Sequence, residues 1–433
     1  MLISFSSLGQ ENTALFKDSG WSSHFQFTGI LQGHPGFNAP YSGKNSLANA
    51  HERAYSVTAT LYFGRKLWEG ASVYFNPEMA GGKGVGSTLG IAGFTNGETF
   101  RIGDPEPTVY IGRIFLRQNI NLDKDHFEEL DDDANHVKEK VSTSRLVLSA
   151  GKFGEADFFD NNNVSHDPRS DFMNWALMDN GAYDYAANTR GYTYGIVAEY
   201  IKPGWALRIG TALEPNYANG PELDWHYLKT NSETIEFEKK YSLNKHKGSA
   251  RLMGYYNVSK APNYEDAVAA KQNGTDTTMD AIFGKKYGSK KIGMGINCDQ
   301  EFSNSIKAFI RIGWNDGKTA SWAFAEIDNS ASAGMRIYGK SWKRTDDNIG
   351  IAVLSNGISS GHRDFLNNGG YGFMIGDGKL PNYTRENIAE LFYQVKLFSN
   401  LYATFDYQFV AHPAYNKDRG PVNMFAARVH VEL

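Results

Sequence analysis

Short segments in which apolar and polar residues alternate recur along the whole of this chain. No run reaches the ~18–20 apolar residues of a membrane helix. A strand sends successive side chains to opposite faces, so each segment has one apolar face and one polar face. In "YSVTATLYF", Tyr55, Val57, Ala59, Leu61 and Phe63 point one way, and Ser56, Thr58, Thr60 and Tyr62 the other. In "FAARVHVEL", Phe425, Ala427, Val429, Val431 and Leu433 oppose Arg428, His430 and Glu432. The stretch "YIGRIFLRQNI" puts Tyr110, Ile114, Leu116 and Ile120 on one side and Arg113, Phe115, Arg117 and Asn119 on the other. A half-buried sheet would turn the apolar side to a core, whereas a membrane barrel turns it to lipid and the arginines to a wet lumen.

The number and spacing of the segments favour the barrel. About 16 strands start near residues 21, 53, 69, 108, 145, 191, 204, 222, 246, 286, 303, 321, 346, 386, 400 and 423. Short connections interleave with long Gly- and Asn-rich ones around 33–52, 81–107, 154–190, 259–285 and 357–385, which is the two-rimmed layout of an outer-membrane barrel. The acidic connection 122–143 is the exception, long but on the short-turn rim. Trp21, Trp68, Tyr192, Trp205 and Trp314 near strand ends fit interfacial girdles. A propeller would show a repeat of about 40–50 residues, and none is present. A ring of so many strands is too wide for side chains alone to fill, so its interior is expected to be wet. The expected fold is therefore all-β: a transmembrane antiparallel β-barrel with long extracellular loops and short periplasmic turns. One domain spans 21–433, behind an N-terminal segment 1–20 that reads as a signal-peptide remnant and periplasmic lead-in or as a frayed terminus.

Composition agrees. Tyr at 24, Gly at 45 and only 13 Pro favour strands and turns over helices. A net charge of −4 without a long basic block gives no footing for nucleic acid. The single Cys298 rules out an intramolecular disulfide and a cysteine-clustered zinc site.

Motifs for catalysis are weak. "GISSG" places Ser359 where a hydrolase nucleophile would stand, but no βαβ alternation surrounds it. Asp131, Asp132 and Asp133 lack the order of calcium ligands in an EF-hand. His34 and His412 have no metal-ligand spacing. "GGKGVGST" fails the P-loop order and reads as a flexible loop able to narrow a pore. An enzyme is not expected, and no cofactor is called for.

The inward charges remain. The polar faces carry Arg113, Arg117, Arg208, Arg251 and Arg311, with Glu78, Glu199 and Asp406 opposing them. Such ladders set a transverse field and offer paired donors and acceptors, while Phe115 and Tyr255 offer ring faces to a sugar. Arg113 and Arg117 are expected to stand close enough along one strand face to act on one solute together.

Several longer stretches, "LWEGASVYFNPEMAGGKGVGSTLGIAGFTNGE", "DFMNWALMDNGAYDYAANTRGYTYG", "GGYGFMIGDGKL" and "AYNKDRGPVNMFAARVHVEL" among them, resemble the carbohydrate-selective porins of Gram-negative outer membranes, the OprB-like family. The segments keep their order from about residue 21 to the end. The resemblance implies passive diffusion of monosaccharides through an arginine-rich constriction, and its matching strand motif contains Arg113 and Arg117. The implied partners are small carbohydrates and outer-membrane lipid, for a monomer or homotrimer. The alternative is a general or anion-preferring porin in which the arginines act only as a field. The terminal Leu433 departs from the aromatic that usually ends such barrels.

Overall fold

Lipid and lumen divide the side chains of each strand. In this computed structural model, which describes residues 20–99 and 106–433, the barrel opens with β1 (Trp21–His34), β2 (Glu52–Trp68), β3 (Ala71–Gly82) and β4 (Thr108–Asn121). A separate hairpin follows, made of β5 (Phe127–Leu130) and β6 (Glu139–Ser142). The ring continues through β7 (Arg145–Phe153), β8 (Thr193–Lys202), β9 (Trp205–Ala212), β10 (Asn231–Leu243), β11 (His246–Ser259) and β12 (Ser289–Ser303). It ends with β13 (Ile306–Asn315), β14 (Asn329–Gly339), β15 (Arg344–Gly357), β16 (Glu386–Phe398), β17 (Leu401–Ala411) and β18 (Val422–Glu432). All 16 barrel strands pair antiparallel, and β18 closes on β1 from Gln26↔Glu432 to Gly33↔Phe425. Closure leaves no unpaired sheet edge, the condition for strands to cross hydrocarbon. No described helix is long and apolar enough to cross. The expected segment 1–20 lies, apart from Gly20, outside the described residues.

Outward apolar side chains have no protein cover: Val109 is 74% exposed, Phe405 64% and Leu252 57%. In water such a band would be an aggregation surface; in a bilayer it is the lipid contact. Trp68 and Trp314 stand in this exposed belt, but Tyr192 is buried in the lumen, unlike the girdle role its position suggests.

Three departures from simple alternation matter. The register of β3 on β4 passes from Asn76↔Arg113 to Pro77↔Ile111, leaving Gly112 as an extra residue. Pro77 has no N–H for the ladder and is tolerated at this bulge. The bulge reverses the parity, so Tyr110 turns inward to donate to Glu78 instead of joining Ile114 on the lipid side. Strands expected from residues 222 and 321 begin instead at Asn231 and Asn329. The residues before them belong to long connections, and "SWAFAEI" is consumed inside the barrel, where Trp322 and Phe324 are buried. The "GISSG" serine is a helix cap: Ser359 accepts from His362 N at 3.1 Å and donates to Gly317 O, while the His362 ring faces Asp328 and Tyr264.

Candidate functional site

The lumen is not uniformly wet. Residues 83–99 and 154–192 turn into the barrel and pack Phe94, Phe172, Trp175 and Leu177 against Trp322, Phe324 and Phe373. A wall too wide for its own side chains is thus filled by loops, and the inward polar residues pin those loops. Glu386 accepts from Ala92 N and Gly93 N at 3.0 and 2.7 Å. Glu390 accepts from Met173 N and Asn174 N at 2.6 and 3.0 Å. Arg311 donates to Leu177 O and Ser165 O and pairs with Asp160 at 2.9 Å. Arg428 donates to Pro168 O and Asp171 O. Buried loop carbonyls and amides need partners, and these wall residues supply them.

Space remains along the opposite wall. A cavity of about 330 Å3 lies against β2, β3 and β4, bounded by the infolded loops. Two arginines organise it. Arg113 forks onto Asp157, Nε to Oδ2 at 2.7 Å and Nη2 to Oδ1 at 2.5 Å, and its guanidinium lies 5.1 Å from the Tyr192 ring centre. Arg169, carried on the loop, donates to Glu98 at 2.7 Å, to Gln26 Oε1 at 2.9 Å and to the Tyr62 hydroxyl at 3.2 Å; it pairs with Glu78 at 3.4 Å. Glu78 also accepts from Tyr110, Tyr192 and Thr60. Gly112 makes room for this cluster, because a Cβ there would sit 3.0 Å from the Tyr192 ring.

The electrostatics of the loop groups follow from these contacts. Burial alone would raise the Asp157 carboxyl, but the Arg113 fork holds it below the usual carboxylate range. Burial raises the Glu98 carboxyl despite Arg169. His166 lines the same cavity; burial works against its charge, yet the Asp179 carboxylate lifts its pKa to about 9. It is therefore a cation at neutral pH.

A second cavity of about 210 Å3 lies toward the short-turn rim and shares Asp157 with the first. Arg117, Glu199 and Arg208 line it, with Tyr74, His136 and Arg145. Arg208 is held by Glu199, Glu236 and Glu238 at 2.9, 2.9 and 2.8 Å. Arg117 lies over the stacked Tyr74 and Phe115 rings at 5.2 and 5.4 Å and donates to Asn135 O at 2.9 Å. The acidic connection 122–143 therefore does more than turn at the rim: its tip enters the lumen and Val137 is buried against Tyr74.

The residues singled out by the alternation thus separate. Arg113 and Glu78 line the first cavity, and Arg117, Glu199 and Arg208 the second. Arg113 and Arg117 are two steps apart on the inner face of β4, ~13 Å of strand, and line different cavities. Arg251 is buried between Glu238 and Asp299 at 3.0 and 2.7 Å, and Arg311 is a loop anchor. Asp406 is buried in the wall, accepting from Gln408 at 3.1 Å; Tyr255 donates to Ala182 O at 2.6 Å. Phe115 is buried under Arg117. Reading the strands did not reach Arg169, Glu98, Asp157 or His166, because loop residues carry no periodic signal to say which way they point. The contiguous "DPRSDF" was the available hint, an arginine inside a long loop.

Comparison with known proteins agrees with the barrel fold. A family model described as "Carbohydrate-selective porin, OprB family" matches residues 44–433. The high-pH structure of Pseudomonas putida OprB aligns over 96% of this chain and 94% of its own, at 17% identity and a TM-score of 0.72. Its low-pH structure aligns over 96% and 93% at 13% identity, with a TM-score of 0.51. The outer-membrane channel DcaP of Acinetobacter baumannii aligns over 96% and 99% at 11% identity, with a TM-score of 0.52. No curated protein sequence matches. At these identities the structural likeness speaks for the fold.

Proposed function

Since the chain belongs to the OprB family of carbohydrate-selective porins and is an outer-membrane channel, we propose that it passes small neutral sugars, monosaccharides first, by passive diffusion through the arginine-bearing constriction at β2–β4. The observation that carries this reading is the charge balance of the cavity of about 330 Å3. Arg113, Arg169, Arg190 and His166 face Glu78, Glu98, Asp157 and Asp167, four against four, so neither sign of ion is strongly favoured. A sugar hydroxyl both donates and accepts, and forks paired with carboxylates present both functions at fixed geometry. The Tyr62, Tyr110 and Tyr192 rings offer apolar faces for the C–H side of a pyranose.

Proteoliposome swelling tests it. Glucose should enter faster than a zwitterionic amino acid of similar size, and Arg113→Ala should narrow that gap while the barrel still folds. Equal rates for the unmodified channel would return the protein to general diffusion, and a preference for small organic anions would make the arginines a field alone.

A further inference from the structure

The outside of the wall carries a feature that passage through the lumen does not use. Where the ring closes, a groove of about 480 Å3 lies on the membrane face of β18, β1 and β2. Its outward rung nearest the rim is Phe425, Gly33 and Arg53, paired in that order across the three strands. The next outward rung is Ala427, Leu31 and Tyr55. Gly33 and Ala427 project almost nothing and form the floor, while Phe425 and Leu31, each 55% exposed, are apolar flanks. The floor at Gly33 is backbone against backbone, since a Cβ there would lie 2.7 Å from Glu52 O.

The rim of this groove holds an exposed, unspent cation. Arg53 and His51 line it, and neither side chain has a hydrogen bond or ion pair among the described residues. The neighbouring carboxylate is turned away: Glu52 accepts from Gly86 N at 3.0 Å and faces His34 and Lys83, each at 4.0 Å. A second outer groove, about 490 Å3 over β13–β17, gives the contrast, because no charged side chain lines it. Arg385, which reaches its Ser355, is held by that residue and by Asn329. The ends of β1 and β2 that bear Gly33 and Arg53 flank the long connection 35–51. They therefore lie on the extracellular rim, in the leaflet built of lipid A, a phosphorylated and multiply acylated glucosamine glycolipid. A guanidinium matches phosphate with two parallel donors, and an acyl chain supplies the contacts that a bare apolar slot lacks. We infer that β18, β1 and β2 form a docking groove for lipid A, with an acyl chain over Gly33 and Ala427 and a phosphate on Arg53 beside His51. The inference is independent of which solute the pore conducts.

Native mass spectrometry of the full-length protein in neutral detergent, titrated with bisphosphorylated lipid A, tests the groove. Lipid A should bind more tightly than phosphatidylglycerol. Arg53→Gln should weaken its binding about five- to ten-fold, the range of one charge-assisted hydrogen bond screened at a surface. Ala427→Phe, which fills the floor and keeps the arginine, should weaken it by a similar factor. Lys83→Gln removes the same charge from the same rim outside the groove and should leave binding intact. Conductance and glucose-induced block of the single-channel current should be unchanged in Arg53→Gln, because the groove lies outside the lumen. Should Ala427→Phe fail to fold, Arg53→Gln against Lys83→Gln still decides. Undiminished binding in Arg53→Gln or in folded Ala427→Phe means that the groove is not used, and equal loss in Lys83→Gln means diffuse charge attraction. Equal affinity for phosphatidylglycerol removes the glycolipid as occupant, and altered conductance in Arg53→Gln places that side chain in the lumen. Each of these results overturns the inference.

Discussion

Replacing Arg169 with alanine should destabilise the infolded loop by about 3–5 kcal/mol and, on the proposed path through the cavity beside β2–β4, make the channel cation-preferring. The guanidinium is the shared partner of Glu98, Glu78, Gln26 and Tyr62, and both carboxylates are buried. Its removal leaves those buried acids without the guanidinium that pairs with both, which costs more than the pair itself contributes. Glu78 keeps hydroxyl donors from Tyr110, Tyr192 and Thr60, and it holds the negative charge that then dominates the cavity. Burial already raises the Glu98 carboxyl with Arg169 present, and loss of the guanidinium moves it higher. A raised carboxyl is protonated as pH falls, so the cation preference should be larger at pH 8 than at pH 5. Zero-current potentials in a salt gradient at both pH values measure this, and glucose block should weaken in the same channels. An unchanged potential and unchanged block would mean that the path runs elsewhere in the lumen.

The lipid face of β4 makes the second large prediction. Ile114 and Leu116 are exposed on the outer surface, and Arg113, Phe115 and Arg117 alternate with them on the inner one. Ile114→Arg should cost about 2–4 kcal/mol if the residue lies near the bilayer midplane, because the added guanidinium loses its water without gaining a partner. Channels that do insert should conduct and bind glucose as before. The temperature at which the barrel loses its heat-modifiable gel mobility reports the stability, and single-channel recording reports the pore. An Ile114→Arg protein with ordinary stability and altered conductance would mean that the two faces of β4 had been assigned the wrong way round.

Much of this architecture is written in period two. Ile310, Ile312 and Trp314 against Arg311, or Phe405 and Phe409 against Asp406 and Gln408, need no tertiary information to separate lipid from lumen. Strand starts near 21, 108, 145, 246 and 386 coincide with those of β1, β4, β7, β11 and β16 for the same reason. The pattern fails where an apolar run serves something other than lipid. "SWAFAEI" has the composition of a strand, yet Asp184 accepts from Trp322, Ala323 and Phe324 N and holds it as lumen filling. The bulge opposite Pro77 likewise reverses Tyr110, a one-residue shift that alternation cannot foresee.

By itself, then, the order of residues determined the closed barrel, its lipid-facing rows and the set of charges turned inward, because those depend on the two-fold period of a strand and on hydrocarbon outside it. Which inward charges meet a solute was decided only in three dimensions. Arg251, Arg311 and Arg428 are spent on carboxylates and loop carbonyls, whereas Arg113 and Arg169 border open space beside β4. That division depends on where residues 83–99 and 154–192 and the hairpin tip come to rest. Contacts between residues more than a hundred positions apart set those places, and no local period records them.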